Sequence, residues 1–435
     1  MTTPLPFTAT SSSLKERLLG FRGLAFASRA RTGFAGPDAT MIALSETTRR
    51  PNRRDASHAQ DGAGETALPP KPSCHRRRGG RRGAGAGTSR AARLPLCLAV
   101  MIFSLAQVSL QQRDPVKNFC RRFGHQTTIV DRTLYIDGGF VNWNPIAQNP
   151  ENATNSWLLY QDLDRSSASG MPPLYASLSK NASIPQLNGG VLWPDEVNKR
   201  FYQYGGAFNK PGDINAFELF SYDIINNKWD SFGPSQTGVV RLAYGAGVGI
   251  SKIGKGFYYG GWMSNATVPG WGARPAVATS YMLKYDYDTN TWSNDTGPDA
   301  VRRAGGAMTF IPAGDGGLLV YLGGVMDRNG DGSPVEGQSL SQIFIYDIAN
   351  SKWYTQIALG AIPANRRRFC IGASWPADRS SYNIYLYGGM GFPPSTAGFD
   401  DVYVLPMPGF SWVKLAPLDV PGTGKYPHHS MTCNV

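Results

Sequence analysis

The chain has 435 residues, with 43 Lys+Arg against 31 Asp+Glu, 10 Trp, 20 Tyr and 51 Gly. Up to Arg93 it carries 17 Lys+Arg, 6 Asp+Glu and neither Trp nor Tyr; from Leu94 onward it carries 26 basic and 25 acidic residues. The positive excess thus belongs to a tail too poor in large apolar side chains to offset its ordering entropy, which disfavours a nucleic-acid function, since that needs a basic footprint on a folded face.

Residues 1–89 read as a disordered, basic, low-complexity tail that closes on Arg76-Arg77-Arg78, Arg81-Arg82 and a Gly/Ala run. Behind it, 94–106 is a continuous apolar run, flanked by Arg90 and Arg93 and followed by Gln107, Gln111, Gln112 and Arg113. A basic flank, about a dozen apolar residues and a small-residue exit describe a secretory signal. Extended to Leu110 the run becomes a marginal membrane span. Segment 90–110 is therefore a signal peptide or a signal-anchor, and either one sends the aromatic body outside. Signals begin chains, so the displaced position points to a start codon placed too early, with a true signal-anchor and basic cytoplasmic tail as the second explanation.

The body, 118–435, has four Asn-X-Ser/Thr sequons, at Asn152, Asn181, Asn265 and Asn294, and the tail has none, which again favours a secreted or surface-displayed glycoprotein. Its cysteines are Cys120, Cys370 and Cys433, an odd number that fits one disulfide plus a spare thiol or an absent partner, and no Cys-X-X-Cys metal spacing occurs.

Self-similarity settles the architecture. Apolar runs end in Gly-Gly at Gly138-Gly139, Gly205-Gly206, Gly260-Gly261, Gly323-Gly324 and Gly388-Gly389. Three of them are followed by Tyr-Asp and then Trp at constant spacing: Tyr222-Asp223 with Trp229, Tyr285-Asp286 with Trp292, and Tyr346-Asp347 with Trp353. The last copy carries Tyr403 and Trp412; the first carries Tyr160-Gln161 but has Ser167 where Trp is expected. Each run predicts a strand buried on both faces. The glycines mark its close approach to a neighbour, the Asn-bearing segments predict hairpin turns, and the Trp covers the seam between sheets. Insertions fall between Gly-Gly and Trp, hence on one face. Such a unit of four short strands must be stacked in a circle.

These residues resemble a Kelch-repeat β-propeller. The spacing between Gly-Gly pairs exceeds the ~50 residues usual for Kelch, and the enlarged loops are similar to the extracellular Kelch proteins of fungi and to the propeller of galactose oxidase. The resemblance implies an all-β fold whose innermost strands here are 125–130, 245–250, 306–311 and 371–374. The segment His428-His429-Ser-Met-Thr-Cys-Asn-Val reads as one more inner strand, so that five blades and the first strand of a sixth form an incomplete ring. A chain with such an open edge is expected to be C-terminally truncated, with a further blade, a polar stalk and a membrane anchor beyond it.

Candidate sites follow from this frame. Arg122, Arg241, Arg303, Arg368 and Lys425 stand just ahead of inner strands and are expected to gather around one mouth of the channel. There they would hold an anionic or polyhydroxylated ligand; the competing expectation is that each pairs with an acid or carbonyl of an adjoining blade. Asp327, Asn329 and Asp331 match the front of a calcium loop, but Gln338 stands where the bidentate Glu belongs, so a polar turn competes with calcium. Trp143, Trp262 and Trp271 are loop aromatics that would stack on sugars or pack their own insertions. Galactose oxidase's copper, held by two His and two Tyr, has no matching motif among His125, His428 and His429. The expected function is a non-catalytic extracellular or cell-surface module binding protein or glycan. A copper radical oxidase and a cytosolic Kelch adaptor are the alternatives; the latter requires an adaptor domain that the sequence does not display.

Overall fold

The computed structural model describes residues 113–434, apart from 168–169, 211–213, 235–237, 394–397 and 417–427, together with the strand Ile42–Ala43. The remaining basic tail, the apolar run at 94–110 and Lys425 lie outside the described residues. No helix among the described residues is long and apolar enough to cross a membrane.

Five antiparallel sheets form the blades. Blade one contains Gln126–Val130, Thr133–Asp137, Leu159–Asp162 and Leu174–Tyr175. Blade two contains Leu187–Asp195, Arg200–Phe208, Glu218–Asp223 and Lys228–Pro234. Its innermost strand has no signal of the usual kind in the sequence, because the doublet Gly189-Gly190 lies inside that strand. Blade three is Ala246–Ile250, Lys255–Tyr259, Tyr281–Asp286 and Thr291–Thr296. Blade four is Ala307–Ile311, Leu318–Leu322, Gln342–Asp347 and Lys352–Ile357. Blade five is Cys370–Ser374, Tyr382–Tyr387, Val402–Met407 and Ser411–Ala416, with Leu359–Gly360 added in parallel at its outer edge. The inner strands touch in cyclic order, and Cys433–Asn434 takes the sixth place between blade five and blade one. Ile42–Ala43 pairs with that strand. Among the described residues the ring is thus incomplete in its outer sheets and closed at its axis.

The Tyr-Asp hairpins explain themselves locally. The carboxylates of Asp223, Asp286 and Asp347 accept the backbone N–H of Asn226, Thr289 and Asn350 at 2.9, 3.1 and 3.1 Å. Asn227, Asn290 and Ser351 then turn the chain with φ of +47°, +51° and +49°, a region that Asn tolerates better than most side chains. The Tyr222 and Tyr285 hydroxyls donate to Oδ1 of Asn227 and Asn290. Trp229, Trp353 and Trp412 donate their indole N–H to Ser179, Thr296 and Leu340, carbonyls contributed from the preceding blade's side, while Trp292 packs on Trp193, Tyr204 and Phe217 of blade two. In blade one the partner of Tyr160 is Tyr175, not Ser167: the two stand opposite each other and stack at 5.0 Å. A longer connection before the fourth strand moved the aromatic out of its usual spacing.

The core lies in the seams. Tyr202, Tyr204 and Trp193 of blade two meet Tyr258, Tyr285 and Tyr287 of blade three; Val320, Leu322 and Ile345 of blade four meet Ile371, Leu386 and Leu405 of blade five. Each fully buried side chain of this size contributes about 1.5–3 kcal/mol.

The glycine doublets join the blades. All ten of their residues have positive φ, from +63° to +103°. The second N–H of each doublet donates to the next blade: Gly139 to Leu187, Gly206 to Leu242, Gly261 to Arg303, Gly324 to Arg366 and Gly389 to His428, at 2.7–3.0 Å. A Cβ on the first glycine would stand 2.1 Å from Leu187 O at Gly138, 2.5 Å from Leu242 O at Gly205 and 2.4 Å from Arg303 O at Gly260.

Candidate functional site

Strand register fixes which side the insertions share. Gln126 stands opposite Asp137, Ala246 opposite Tyr259, Ala307 opposite Leu322 and Cys370 opposite Tyr387. The starts of the inner strands and the insertions after each Gly-Gly therefore open on the same side.

On that side a closed circle of main-chain hydrogen bonds surrounds the axis. Gly124 donates to Ser430, Ser430 to Arg368, Arg368 to Gly305, Gly305 to Tyr244, Tyr244 to Gly189 and Gly189 to Gly124, at 2.6–2.8 Å. All six residues are left-handed, with φ between +54° and +67°. For Tyr244, Arg368 and Ser430 that conformation costs about 1–2 kcal/mol each, and the shared geometry holds them in it. The disulfide Cys370–Cys433 fastens the sixth inner strand to blade five. Cys120 is a buried free thiol.

Only two members of the circle carry long side chains, and they meet. The Tyr244 ring covers Gly189, and its hydroxyl donates to Asn188 Oδ1 at 2.7 Å. The Arg368 guanidinium reaches from blade five to lie 3.9 Å from that ring's centroid. Within the mouth is a cavity of about 210 Å³ lined by the inner strands, with glycines among its walls. His125 and Gln126, 6% and 1% exposed, line it. His125 Nε2 faces Thr432 Oγ1 at 3.3 Å, while its Nδ1 and the Oε1 of Gln126 have no partner among the described residues. Burial, aided by the neighbouring Arg122 charge, pulls His125 down to about 3, so the ring is neutral.

The expected arginine ring divides into different positions. Arg368 alone of the four lines the mouth. Arg303 is buried between blades, paired with Asp299 through Nη1 and Nη2 at 2.5 and 2.8 Å and with Gln338 at 3.0 Å. That is the pairing expected of a structural arginine. Arg241, 3% exposed, lies 4.7 Å from the Phe208 ring, and desolvation lowers its guanidinium to about 10. Arg122 lies over Phe119 at 5.1 Å, its Nε and Nη2 buried without partners among the described residues, and desolvation brings it too to about 10.

Arg366, which no repeat pattern singles out, occupies the same place relative to the circle as Arg303. It forms a buried pair with Asp401, Nη2 to Oδ2 at 3.2 Å, and donates to Gly388 O at 3.0 Å. A second cluster absent from the sequence-based expectations lies behind Gln126. Asp137, fully buried, binds Lys180, Gln203 Nε2 at 2.7 Å and Gln126 Nε2 at 3.1 Å. Its signal was visible: an acid precedes Gly138 where the other doublets follow Tyr204, Tyr259, Leu322 and Tyr387.

Asp327 organises its loop as an acceptor of amides. One oxygen takes the N–H groups of Gly330 and Gly332, the other that of Ala278 in blade three's insertion. Asp331 accepts Ser333 N–H, and Asn329 lies exposed in the same turn. No group of three His, Cys, Asp or Glu among the described residues is placed to hold a metal ion. Asn152, Asn181, Asn265 and Asn294 are all exposed. Trp143 is buried edge-on against Trp157, Trp262 packs on Ala278, Ala304 and Val325, and Trp271 is half-buried under Arg274 at 4.3 Å.

No family model matches the chain. A Kelch repeat-containing protein of Arthroderma benhamiae is 29% identical over 348 residues, covering 70% of this chain and 50% of that protein, so the chain spans about half the length of this curated relative. The solved structure of YjhT aligns with a TM-score of 0.48 and 14% identity, over 73% of this chain and 88% of that one. The stitch repeated from blade to blade makes the fold an all-β propeller, and its sequence is similar to that of the fungal Kelch repeat-containing protein.

Proposed function

We propose that the chain is a non-catalytic binding module, displayed outside the cell, that engages a protein or glycan partner through the face carrying its long insertions. The observation that carries this reading is the register that brings the insertions and the channel mouth to one side. Four exposed sequon asparagines and a disulfide support the extracellular setting. The chemistry of a copper radical oxidase would need two His and two Tyr to converge. Here His428 Nδ1 faces the Tyr387 hydroxyl at 2.9 Å, while His125 faces Thr432.

Glycan arrays and pull-downs with the purified full chain should give saturable capture that is lost when the insertion loops are exchanged. Glycosidase treatment of cell-expressed protein should lower its mass. Peroxide release from sugars or alcohols by the copper-loaded chain, or absence of any mass shift, would count against the reading.

A further inference from the structure

We propose that the groove where blades one and two meet on the insertion face is the seat of an N-linked glycan carried by the chain's own Asn152, whose first N-acetylglucosamine packs on Phe208. The inference rests on the extracellular reading and gives the insertion face a carbohydrate of its own.

Position comes first. The groove measures about 380 Å³, at the low end of the roughly 300–1,000 Å³ of small-ligand clefts. Two sequons run into its walls: Thr154 is the hydroxyl residue of Asn152-Ala153-Thr154, and Ala182 is the middle residue of Asn181-Ala182-Ser183. A third sequon abuts it, since Phe208 donates its backbone N–H to Ala266 O, inside Asn265-Ala266-Thr267, at 2.9 Å. Three of the four attachment points thus crowd around residues 208–210, while Asn294 stands apart in the outermost strand of blade three.

Direction comes second. The pairing of Ala153–Thr154 with Phe140–Trp143 is carried one residue further by Asn142, whose Nδ2 donates to Asn152 Oδ1 at 2.9 Å. Side chains two apart on extended backbone share a face. Asn152 therefore leaves the sheet on the side of Thr154, whose hydroxyl accepts Asn209 Nδ2 at 2.6 Å beside the groove. The bond from Asn142 engages only the amide oxygen; the nitrogen, which carries the sugar, belongs to an exposed residue. Asn181 is placed differently, because its Oδ1 folds back onto the N–H and hydroxyl of its own Ser183 at 2.9 and 2.5 Å.

Chemistry comes third. Phe208 is half-buried, and Arg241 lies over its ring at 4.7 Å, which holds the ring in place. Its remaining surface lines the groove with Ile184 and Pro185, while Gln186 and Lys210 add polar groups, and no acid is among the lining residues. A pyranose offers an apolar face of C–H bonds to stack on an aromatic ring and polar groups around its edge, which matches this mixed wall.

The test is timed digestion of the folded, cell-expressed full chain with peptide N-glycosidase, followed site by site by mass spectrometry. Asn152 should be occupied, and its glycan should be released about tenfold more slowly than those at Asn265 and Asn294, the factor that one well-packed aromatic contact supports. Denaturant should abolish the difference, and Phe208→Leu should remove most of it in the folded chain. Equal release at all sites refutes the seat, as does a lag that survives in folded Phe208→Leu; a lag at Asn181 alone overturns the assignment to Asn152. The comparison among sites needs no variant, so it decides the seat even if Phe208→Leu misfolds. Glycans at the other sequons but none at Asn152 refute the seat and spare the extracellular reading; a cell-expressed chain without any glycan refutes both.

Discussion

Gly205 and Gly233 offer a controlled comparison, since their φ values are +72° and +75° but their surroundings differ. A Cβ at Gly233 meets nothing within 4 Å among the described residues, whereas one at Gly205 would lie 2.5 Å from the Leu242 carbonyl oxygen in the next blade. Alanine at either place carries the left-handed cost of about 1–2 kcal/mol, slightly offset by a less disordered unfolded chain. At Gly205 the overlap is with backbone and must be relieved by parting two blades. That adds about 1–3 kcal/mol for overpacking and about 1 kcal/mol for the Gly206 N–H bond to Leu242, now 2.7 Å. Gly205→Ala should therefore lose about 4 kcal/mol and Gly233→Ala about 1 kcal/mol, against a total stability on the order of 5–15 kcal/mol. Equilibrium unfolding in urea, followed by tryptophan fluorescence, reads both from the midpoint at constant m-value. Equal losses in the two variants would refute the idea that the doublets exist to let blades touch.

Three further outcomes are expected. Asp401→Ala strands the buried Arg366 guanidinium and should cost about 3–5 kcal/mol by the same assay, whereas removing the exposed pair partner Asp164 should cost under about 1 kcal/mol. His125, held near 3 when folded and about 6.5 when unfolded, binds its proton only in the unfolded chain between those values. Its contribution is thus complete above pH ~6.5 and lost on acidification, at up to about 1.4 kcal/mol per pH unit; His125→Gln should flatten that slope, and a slope unchanged by the substitution would contradict it. Reduction of Cys370–Cys433, which spans 63 residues, should lower stability by about 4 kcal/mol on the loop-entropy model, read as a shifted midpoint with and without reductant.

The fold was legible because its parts recur: five doublets, three Tyr-Asp turns and four tryptophans point to the same unit, and their spacing placed the insertions on one side. Legibility failed where a role is played by unlike residues. The six members of the axial circle are three glycines, a tyrosine, an arginine and a serine, united by backbone conformation and not by side chain, so no motif announced them. Counting arginines ahead of strands likewise merged distinct positions. Arg303 sits two residues before its circle member Gly305 and turns into the seam, Arg241 sits three before Tyr244, and Arg368 is itself a member and turns to the axis. The left-handed turn at each circle member sends residues at these three offsets in different directions, and sequence spacing alone did not resolve it. Tyr175 escaped for another reason, since a lengthened connection hid the aromatic that blade one uses in place of tryptophan.

The circle also dictates timing. Its last link joins Ser430 to Gly124, and the side chains that flank this closure, Thr432 and His125, are 307 positions apart. Blades two, three and four can assemble from neighbouring sequence while the ribosome is still at work. The axial pocket cannot exist until the sixth strand has emerged and found the beginning of the body, a long-range step that is intrinsically slow. A nascent chain stalled before residue 430 would carry finished blades around a circle still open between Arg368 and Gly124.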